Sequence, residues 1–295
     1  MFAESFIEHV QFCGYGLPMP TIPAASAVTL PASDAVPCTP DPLYDPAGVR
    51  HLFDRMARSY DRMNVMLSLG FSVLWRHRLL RLVPATGSPR RVLDLMSGRG
   101  ETWATIERRL PQAQITALDF SDEMLAQAQR RNLGRFAGRV RLRQEDALEQ
   151  TTPSASVDIA VSAYGLKTFD ARQLERLAAE VARTLRPGGS FAFLDVTEPA
   201  CGPLRVAYRS YLRWIVPLAG LLLLSDPTEY RMLHRYLTGF GDGSRAVAAF
   251  RAVPGLEVEV RRYFFGCAMS ISGRRLGTDA EEQDRLSPAV RILEG

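Results

Sequence analysis

Lysine is almost missing from this chain of 295 residues, because only one of its 36 lysine and arginine residues, Lys167, is a lysine. Cysteine and histidine are also scarce, at four residues each, and their spacing forms no CxxC pair and no pattern of metal ligands. These absences predict a protein without a metal site, with free thiols in a reduced intracellular compartment.

Long hydrophobic runs and a basic leader are missing as well. The longest apolar run, at 214–224, has 11 residues with an internal proline, whereas a membrane-spanning helix needs about 20. The first ten residues hold Glu4 and Glu8 but no lysine or arginine, unlike a secretory signal. We therefore expect a cytoplasmic protein. The net charge of +4 comes without a basic block, so we expect no nucleic-acid partner.

The remaining sequence indicates an α/β fold. Residues 1–47 are rich in proline and alanine and predict a flexible extension. Residues 48–276 begin with two helical patterns and continue with short apolar strands alternating with helices, and residues 203–241 predict a helical insertion before a closing pair of strands. This order predicts a mostly parallel, Rossmann-like sheet of seven strands with helices on both faces. Residues 277–295 predict a polar tail.

The stretch VLDLMSGRGE at 92–101 places a Gly-x-Gly turn between a strand and a helix. Glycines let the backbone approach a ligand closely, and an acidic residue at the tip of the next strand, Asp119, can accept ribose hydroxyls. The turn lacks the third glycine of a dinucleotide site, and the acidic Glu101 disfavours a pyrophosphate. The pattern therefore favours a cationic ligand with a free ribose, such as S-adenosyl-L-methionine. Asp146, after the third strand, falls where such folds contact adenine.

Several motifs together resemble the UbiE-type C-methyltransferases of ubiquinone and menaquinone biosynthesis, a family of class I S-adenosylmethionine enzymes. The resemblance runs from about Val49 to about Gly273. It depends on LFDRMARSYDRMNVMLSLGFSVLWR, VLDLMSGRGE, YGLKTF, LRPGGSFAFLDVTEP and DPTEYRML. The resemblance implies a class I methyltransferase fold and methyl transfer to carbon of a lipophilic quinol or phenol.

The cofactor site is expected at one set of positions, which combines the turn pattern with the contacts that the resemblance implies. Its members are Asp94, Ser97, Gly98, Arg99, Gly100, Glu101, Asp119, Phe120, Asp146, Ala147 and Ala163. The chain departs from the family pattern at three places. Arg99 replaces the threonine of the Gly-Thr-Gly turn, Ala163 replaces a serine, and Lys167-Thr168 replaces an Arg-Asn pair. The last change lies where the family activates its substrate, so the sequence leaves open an acceptor different from that of the family.

The resemblance implies that Tyr60, Lys167 and Thr168 prepare the acceptor hydroxyl. An ammonium group can stabilise a phenolate as a point charge, and a desolvated lysine can act as a base, which a guanidinium cannot. His234, in the insertion, is a candidate proton shuttle. Packing or surface roles remain alternatives for Tyr60 and His234.

Arg205, Arg209 and Arg213 recur at every fourth residue before the apolar run, so 204–224 is either a lid or a peripheral contact with the inner face of the membrane. Two other functions also stay open. One is O-, N- or C-methylation of a soluble aromatic metabolite, and the other is a cofactor-binding scaffold subunit without catalysis. The sequence does not determine the oligomeric state.

Overall fold

The computed structural model describes residues 41–57, 60, 64–65, 68, 70–84, 90–199, 202–215 and 227–277. The proposed extension and the polar tail therefore lie almost entirely outside the described residues. The first described element is a 3-10 turn at Pro42–Tyr44, within the range that the sequence pattern assigned to the extension.

A seven-stranded sheet forms the centre of the fold, in the order β3-β2-β1-β4-β5-β7-β6. All neighbouring strands are parallel except β7, which runs antiparallel between β5 and β6. This arrangement confirms the predicted α/β class and the closing pair of strands. The strands are β1 (Arg91–Leu95), β2 (Gln114–Asp119), β3 (Arg141–Gln144), β4 (Val157–Ala163), β5 (Leu185–Val196), β6 (Leu256–Tyr263) and β7 (Ala268–Arg275).

Helices cover both faces of the sheet because successive strand residues point to opposite sides. The helices are α1 (Pro46–Met56), α2 (Phe71–Leu79), α3 (Trp103–Arg109), α4 (Asp122–Arg135), α5 (Ala171–Thr184), α6 (Gly202–Ser210), α7 (Pro227–Phe240) and α8 (Ser244–Arg251). On β5, Phe191 and Phe193 pack into one core with α5 and α8, whereas Ala192 and Leu194 pack into the other with α2 and α3.

The LRPGG segment at 185–189 differs from what its residues predict. Its proline and two glycines predict the end of a helix ahead of β5, but β5 already begins at Leu185, which pairs with Val157. The pairing then shifts, so that Ile159 lies opposite Ser190. The intervening residues form a bulge, because a proline cannot donate a ladder hydrogen bond.

A third, smaller core joins the N-terminal helix to the insertion. Tyr44 and Tyr60 pack with Leu212 and Tyr236 in this core, and the Tyr236 hydroxyl donates a hydrogen bond of 2.7 Å to the carbonyl of Leu43. Phe120 and Val196, at the carboxyl ends of β2 and β5, also pack against this core, so the insertion lies at that edge of the sheet. Within the described residues, no helix is both long enough and apolar enough to span a membrane.

Candidate functional site

The loop after β1 turns sharply at the carboxyl edge of the sheet. Met96, Gly98 and Gly100 all have positive φ angles, of 52°, 55° and 78°. The backbone N–H of Gly98 donates to the Asp119 carboxylate at 2.7 Å, which fixes the loop against the end of β2. A side chain at Gly100 would overlap the indole ring of Trp103. Glycine is therefore required there for packing as well as for backbone conformation.

Asp94, at the end of β1, is buried and only half satisfied. One carboxylate oxygen accepts hydrogen bonds from the Thr102 hydroxyl at 2.6 Å and the Trp103 indole at 3.0 Å. The other oxygen, Oδ1, and the buried Ser97 hydroxyl have no hydrogen-bond partner among the described residues. Desolvation raises the pKa of Asp94 to about 7, against the lowering effect of these two hydrogen bonds.

Asp119, at the end of β2, has a similar environment. Its carboxylate accepts the backbone N–H groups of Gly98 and, at 3.0 Å, of Ser121. Burial nevertheless raises its pKa to about 6, and the nearby Glu101 charge adds to the increase. Three acidic side chains thus surround one loop, and a bound cation would favour their ionised forms.

These groups line a cavity, which we call the cofactor cavity. Nine of the eleven expected cofactor residues lie in its wall, but Arg99 and Gly100 do not. The Trp103 ring packs directly against Gly100, and the Arg99 guanidinium lies 3.9 Å from the Glu101 carboxylate. The nine are Asp94, Ser97, Gly98, Glu101, Asp119, Phe120, Asp146, Ala147 and Ala163.

The wall also contains residues that the sequence analysis missed. Tyr44, Val49 and Phe53 come from the N-terminal segment, and Arg76 comes from α2. No local motif marks them, because they are far from the glycine loop in the chain. Two of the four expected catalytic residues, Tyr60 and Thr168, also line this cavity.

Tyr164 separates the cofactor cavity from a second one, because its side chain contributes to both walls. It follows β4 in the left-handed region, with a φ of 70°, a strained conformation for a bulky residue. Its hydroxyl donates a hydrogen bond of 2.8 Å to the Ser72 carbonyl. Its own carbonyl accepts hydrogen bonds from the Lys167 ammonium and, at 3.4 Å, from the Tyr60 hydroxyl.

The second cavity, which we call the acceptor cavity, is lined mainly by apolar and aromatic side chains. Its wall also contains Lys167 and His234, two of the four expected catalytic residues. The structure therefore brings Lys167 and Tyr60 together at the Tyr164 carbonyl but divides the four expected catalytic residues between two cavities. The wall includes Phe71, Trp75, Tyr208, Tyr211, Leu212, Leu237 and Phe264.

Lys167 is 1% exposed and forms a buried ion pair with Asp195, at 3.2 Å between Nζ and Oδ1. The backbone N–H of Lys167 donates to the other Asp195 oxygen at 2.9 Å. Burial alone lowers the pKa of Lys167, but the Asp195 charge and the nearby Tyr60 outweigh it and keep this pKa above its usual value. Lys167 therefore carries a positive charge, which disfavours its use as a base.

The chain is similar in sequence to curated methyltransferases. The model of the ubiE/COQ5 methyltransferase family matches residues 43–274. Demethylmenaquinone methyltransferase of Thermus thermophilus is 31% identical over 76% of this chain and 100% of its own length. The corresponding enzyme of Deinococcus radiodurans is 33% identical over 75% and 89%. The ubiquinone/menaquinone biosynthesis C-methyltransferase UbiE of Desulfotalea psychrophila is 30% identical over 74% and 87%.

Solved structures share the fold at lower sequence identity. A protein of Thermotoga maritima described as an S-adenosylmethionine-dependent methyltransferase aligns with a TM-score of 0.51 at 16% identity, over 76% of this chain and 98% of its own. A Methanococcus maripaludis protein with the same general description aligns with a TM-score of 0.55 at 14% identity, over 77% and 95%. These matches confirm the Rossmann-like methyltransferase fold.

Proposed function

Since the chain belongs to the ubiE/COQ5 methyltransferase family, we propose that it methylates a ring carbon of a lipophilic quinol of the menaquinone or ubiquinone type. The observation that supports this most directly is the pair of adjoining cavities. One is lined by a glycine loop and carboxylates, the other is largely apolar, and Tyr164 and the Lys167 ammonium lie at their boundary.

The residues of the first cavity fit S-adenosylmethionine, the methyl donor. Asp94 Oδ1 and the Ser97 hydroxyl are buried without partners among the described residues and line the cavity. Carboxylates beside a close-approaching backbone suit a ligand with an ammonium group and a ribose. We assign Asp94 and Glu101 to the cationic end of the ligand, Asp119 to its ribose and Asp146 to its adenine. When bound, S-adenosylmethionine supplies an electrophilic methyl group.

The second cavity fits the acceptor. Its aromatic and aliphatic wall can exclude water and hold a flat ring beside a prenyl tail. The Thermus relative is named a methyltransferase of demethylmenaquinone, and the Desulfotalea relative is named a C-methyltransferase of ubiquinone and menaquinone biosynthesis. We extend this quinone class of acceptor to this chain. The Lys167-Thr168 pair is the feature that would distinguish its acceptor from theirs.

Lys167 acts in this proposal as a fixed positive charge. A ring hydroxyl close to Nζ would lose its proton more readily, because the adjacent ammonium stabilises the phenolate. The phenolate then raises the electron density at the neighbouring ring carbon. That carbon takes the methyl group and afterwards loses its own hydrogen as a proton, which restores the aromatic ring. Asp195 and the Tyr164 carbonyl hold Nζ at the boundary of the cavities.

His234 is our candidate for receiving the proton. It lines the acceptor cavity, whereas the Lys167 ammonium has no free lone pair. A neutral imidazole can accept the hydroxyl proton and release it to solvent. Tyr60 is assigned to holding the Tyr164 carbonyl in place.

A prenylated acceptor would reach the enzyme from a membrane, so we retain peripheral membrane contact through 204–224 as part of the proposal. Arg209 is not available for that contact, because Glu198 binds its guanidinium through two hydrogen bonds, of 2.9 and 2.7 Å. Arg213 lies 5.5 Å from the Trp214 ring and has no acidic partner within the described part of the chain. Its charge remains available to anionic lipids.

Calorimetry and turnover together test the proposed function. We expect native protein to bind S-adenosylmethionine and to transfer its methyl group to a short-chain demethylated naphthoquinol kept reduced by dithionite. Asp119→Ala should lose most of the binding affinity, and Leu133→Ser, an exposed position on α4, is the control. Binding without methylation of any quinol would contradict the assignment and favour the scaffold function.

A further inference from the structure

The turn between β6 and β7 holds two phenylalanines in a strained backbone conformation. Phe264 and Phe265 have φ angles of 46° and 56°, a region that bulky L-residues rarely adopt. Their side chains are nevertheless 53% and 65% exposed. Burial in the protein core therefore does not compensate for the strain, and a surface turn of this shape would be more stable with glycine.

The turn is held firmly in this conformation. The Thr197 hydroxyl donates to the Gly266 carbonyl at 2.7 Å, and the Cys267 N–H donates to the Phe264 carbonyl at 3.1 Å. The Phe264 ring also contacts Phe71 of α2, with 4.8 Å between ring centroids. The phenylalanines are thus fixed in place with their rings partly in water.

The position of the turn connects it to the proposed acceptor site. Phe264 lines the acceptor cavity, so one side of its ring faces the cavity that contains Lys167 and another side faces solvent. Phe265 lies next to it, with 5.6 Å between ring centroids, and is not part of the cavity wall. The Phe264 ring therefore forms an apolar route from the cavity wall to the protein surface.

The insertion contributes an aromatic and basic turn to the wall of the same cavity and to the surface next to it. Tyr211 and Leu212 line the cavity, and they belong to the π-helical turn Tyr211–Ile215. Trp214, in that turn, is 67% exposed and lies against Arg213. Tryptophan beside an arginine that has no acidic partner within the described residues suits the headgroup region of a bilayer with anionic lipids.

From this geometry we propose that the Phe264–Phe265 turn inserts into an anionic lipid bilayer and forms the entrance through which a prenylated acceptor reaches Lys167. The inference rests on the proposed function, because the route is useful only to an acceptor with an apolar tail. Insertion would bury the exposed rings and offset the strain of the turn. Trp214 and Arg213 would then contact the headgroups.

Vesicle co-sedimentation without substrate tests the surface independently of catalysis. Native protein should bind vesicles of equimolar phosphatidylglycerol and phosphatidylcholine. Phe265→Ser should reduce the bound fraction several-fold, whereas Leu133→Ser, a matched exposed apolar position on α4, should not. Equal binding of native protein and Phe265→Ser would overturn the proposal, and so would an absence of native binding.

Three further measurements, of melting temperature, turnover and oligomeric state, separate membrane insertion of the turn from other roles. Phe265→Gly should raise the melting temperature while reducing vesicle binding, since glycine relieves the strain and removes the ring. Phe265→Ser should keep native turnover with a short-chain soluble quinol and lose turnover with a long-chain quinol in vesicles.

A dimer in gel filtration that Phe265→Ser dissociates would show that the turn is a contact between copies and would overturn the proposal. Failure of all turnover with intact vesicle binding would contradict the proposed function alone.

Discussion

At the scale of single residues, the one lysine of the chain has a physical reason to be a lysine. The Lys167 ammonium is buried and fits between the Asp195 carboxylate and the Tyr164 carbonyl. A guanidinium is larger and planar, and it needs more donors satisfied than this space offers. The structure thus favours one of the two roles that the sequence left open, that of a fixed charge over that of a base.

Lys167→Met should keep cofactor binding and lower kcat about 100- to 1000-fold, the usual cost of removing one charge-stabilising group from an active site. Methionine has a similar length and fills the buried space, although it leaves Asp195 without its partner. A kcat lowered to this extent, with an unchanged calorimetric affinity for S-adenosylmethionine, is the expected result. A native kcat in this variant would contradict the role of the charge.

Lys167→Arg is the matched comparison, because it preserves the charge and changes its shape. We expect it to recover part of the kcat lost in Lys167→Met and to raise KM for the acceptor, since the longer side chain extends into the acceptor cavity. Steady-state kinetics on both variants measure this. Equal losses in both would show that geometry and not charge is the essential property of Lys167.

At the scale of secondary-structure elements, the first turn of α5 contacts the 3-10 turn at Pro42–Tyr44. Asp170 and Gln173 form a capping box at its first turn, and the Gln173 side chain also donates to the Tyr44 carbonyl at 3.1 Å. Both Tyr44 and Gln173 line the cofactor cavity. One cap therefore stabilises the helix and one wall of the site.

Asp170→Ala should lower the free energy of unfolding by about 1 kcal/mol, the typical cost of losing an N-cap. Urea denaturation followed by circular dichroism measures it. Asp170→Ser retains a capping oxygen and is the control, with little loss expected. Equal stability of native protein and Asp170→Ala would show that the cap does not contribute.

The elements show what sequence patterns can and cannot predict. Each central strand was predictable, because a buried parallel strand reads as a short apolar run, and the glycine turn marked the loop after β1. The approach of Tyr44 and Arg76 to the same cavity was not, because their neighbours are distant in sequence. Nor was Tyr164, since a left-handed tyrosine has no local signature. The LRPGG bulge was missed because a proline and two glycines also end helices.

At the scale of the whole molecule, the ionised forms of the buried carboxylates lower the stability of the fold but favour binding of a cationic cofactor. The folded-state pKa values of Asp94 and Asp119, about 7 and about 6, lie above the ordinary 3.8. Each group thus contributes stability that is fully present below its unfolded pKa and is lost as pH rises through the folded value. For each group in the ligand-free protein, the stability lost is on the order of a few kcal/mol.

A cationic ligand reverses this dependence, because it binds the ionised carboxylates. S-adenosylmethionine at a fixed excess should therefore raise the melting temperature more at about pH 8 than at about pH 5. Differential scanning calorimetry with and without the ligand at both pH values measures the difference. In Asp94→Asn the amide oxygen still accepts the Thr102 and Trp103 hydrogen bonds but no longer titrates, so the pH dependence of the shift should shrink. A ligand-induced shift that is equal at both pH values in native protein would mean that the Asp94 carboxylate does not hold the cationic end of the ligand.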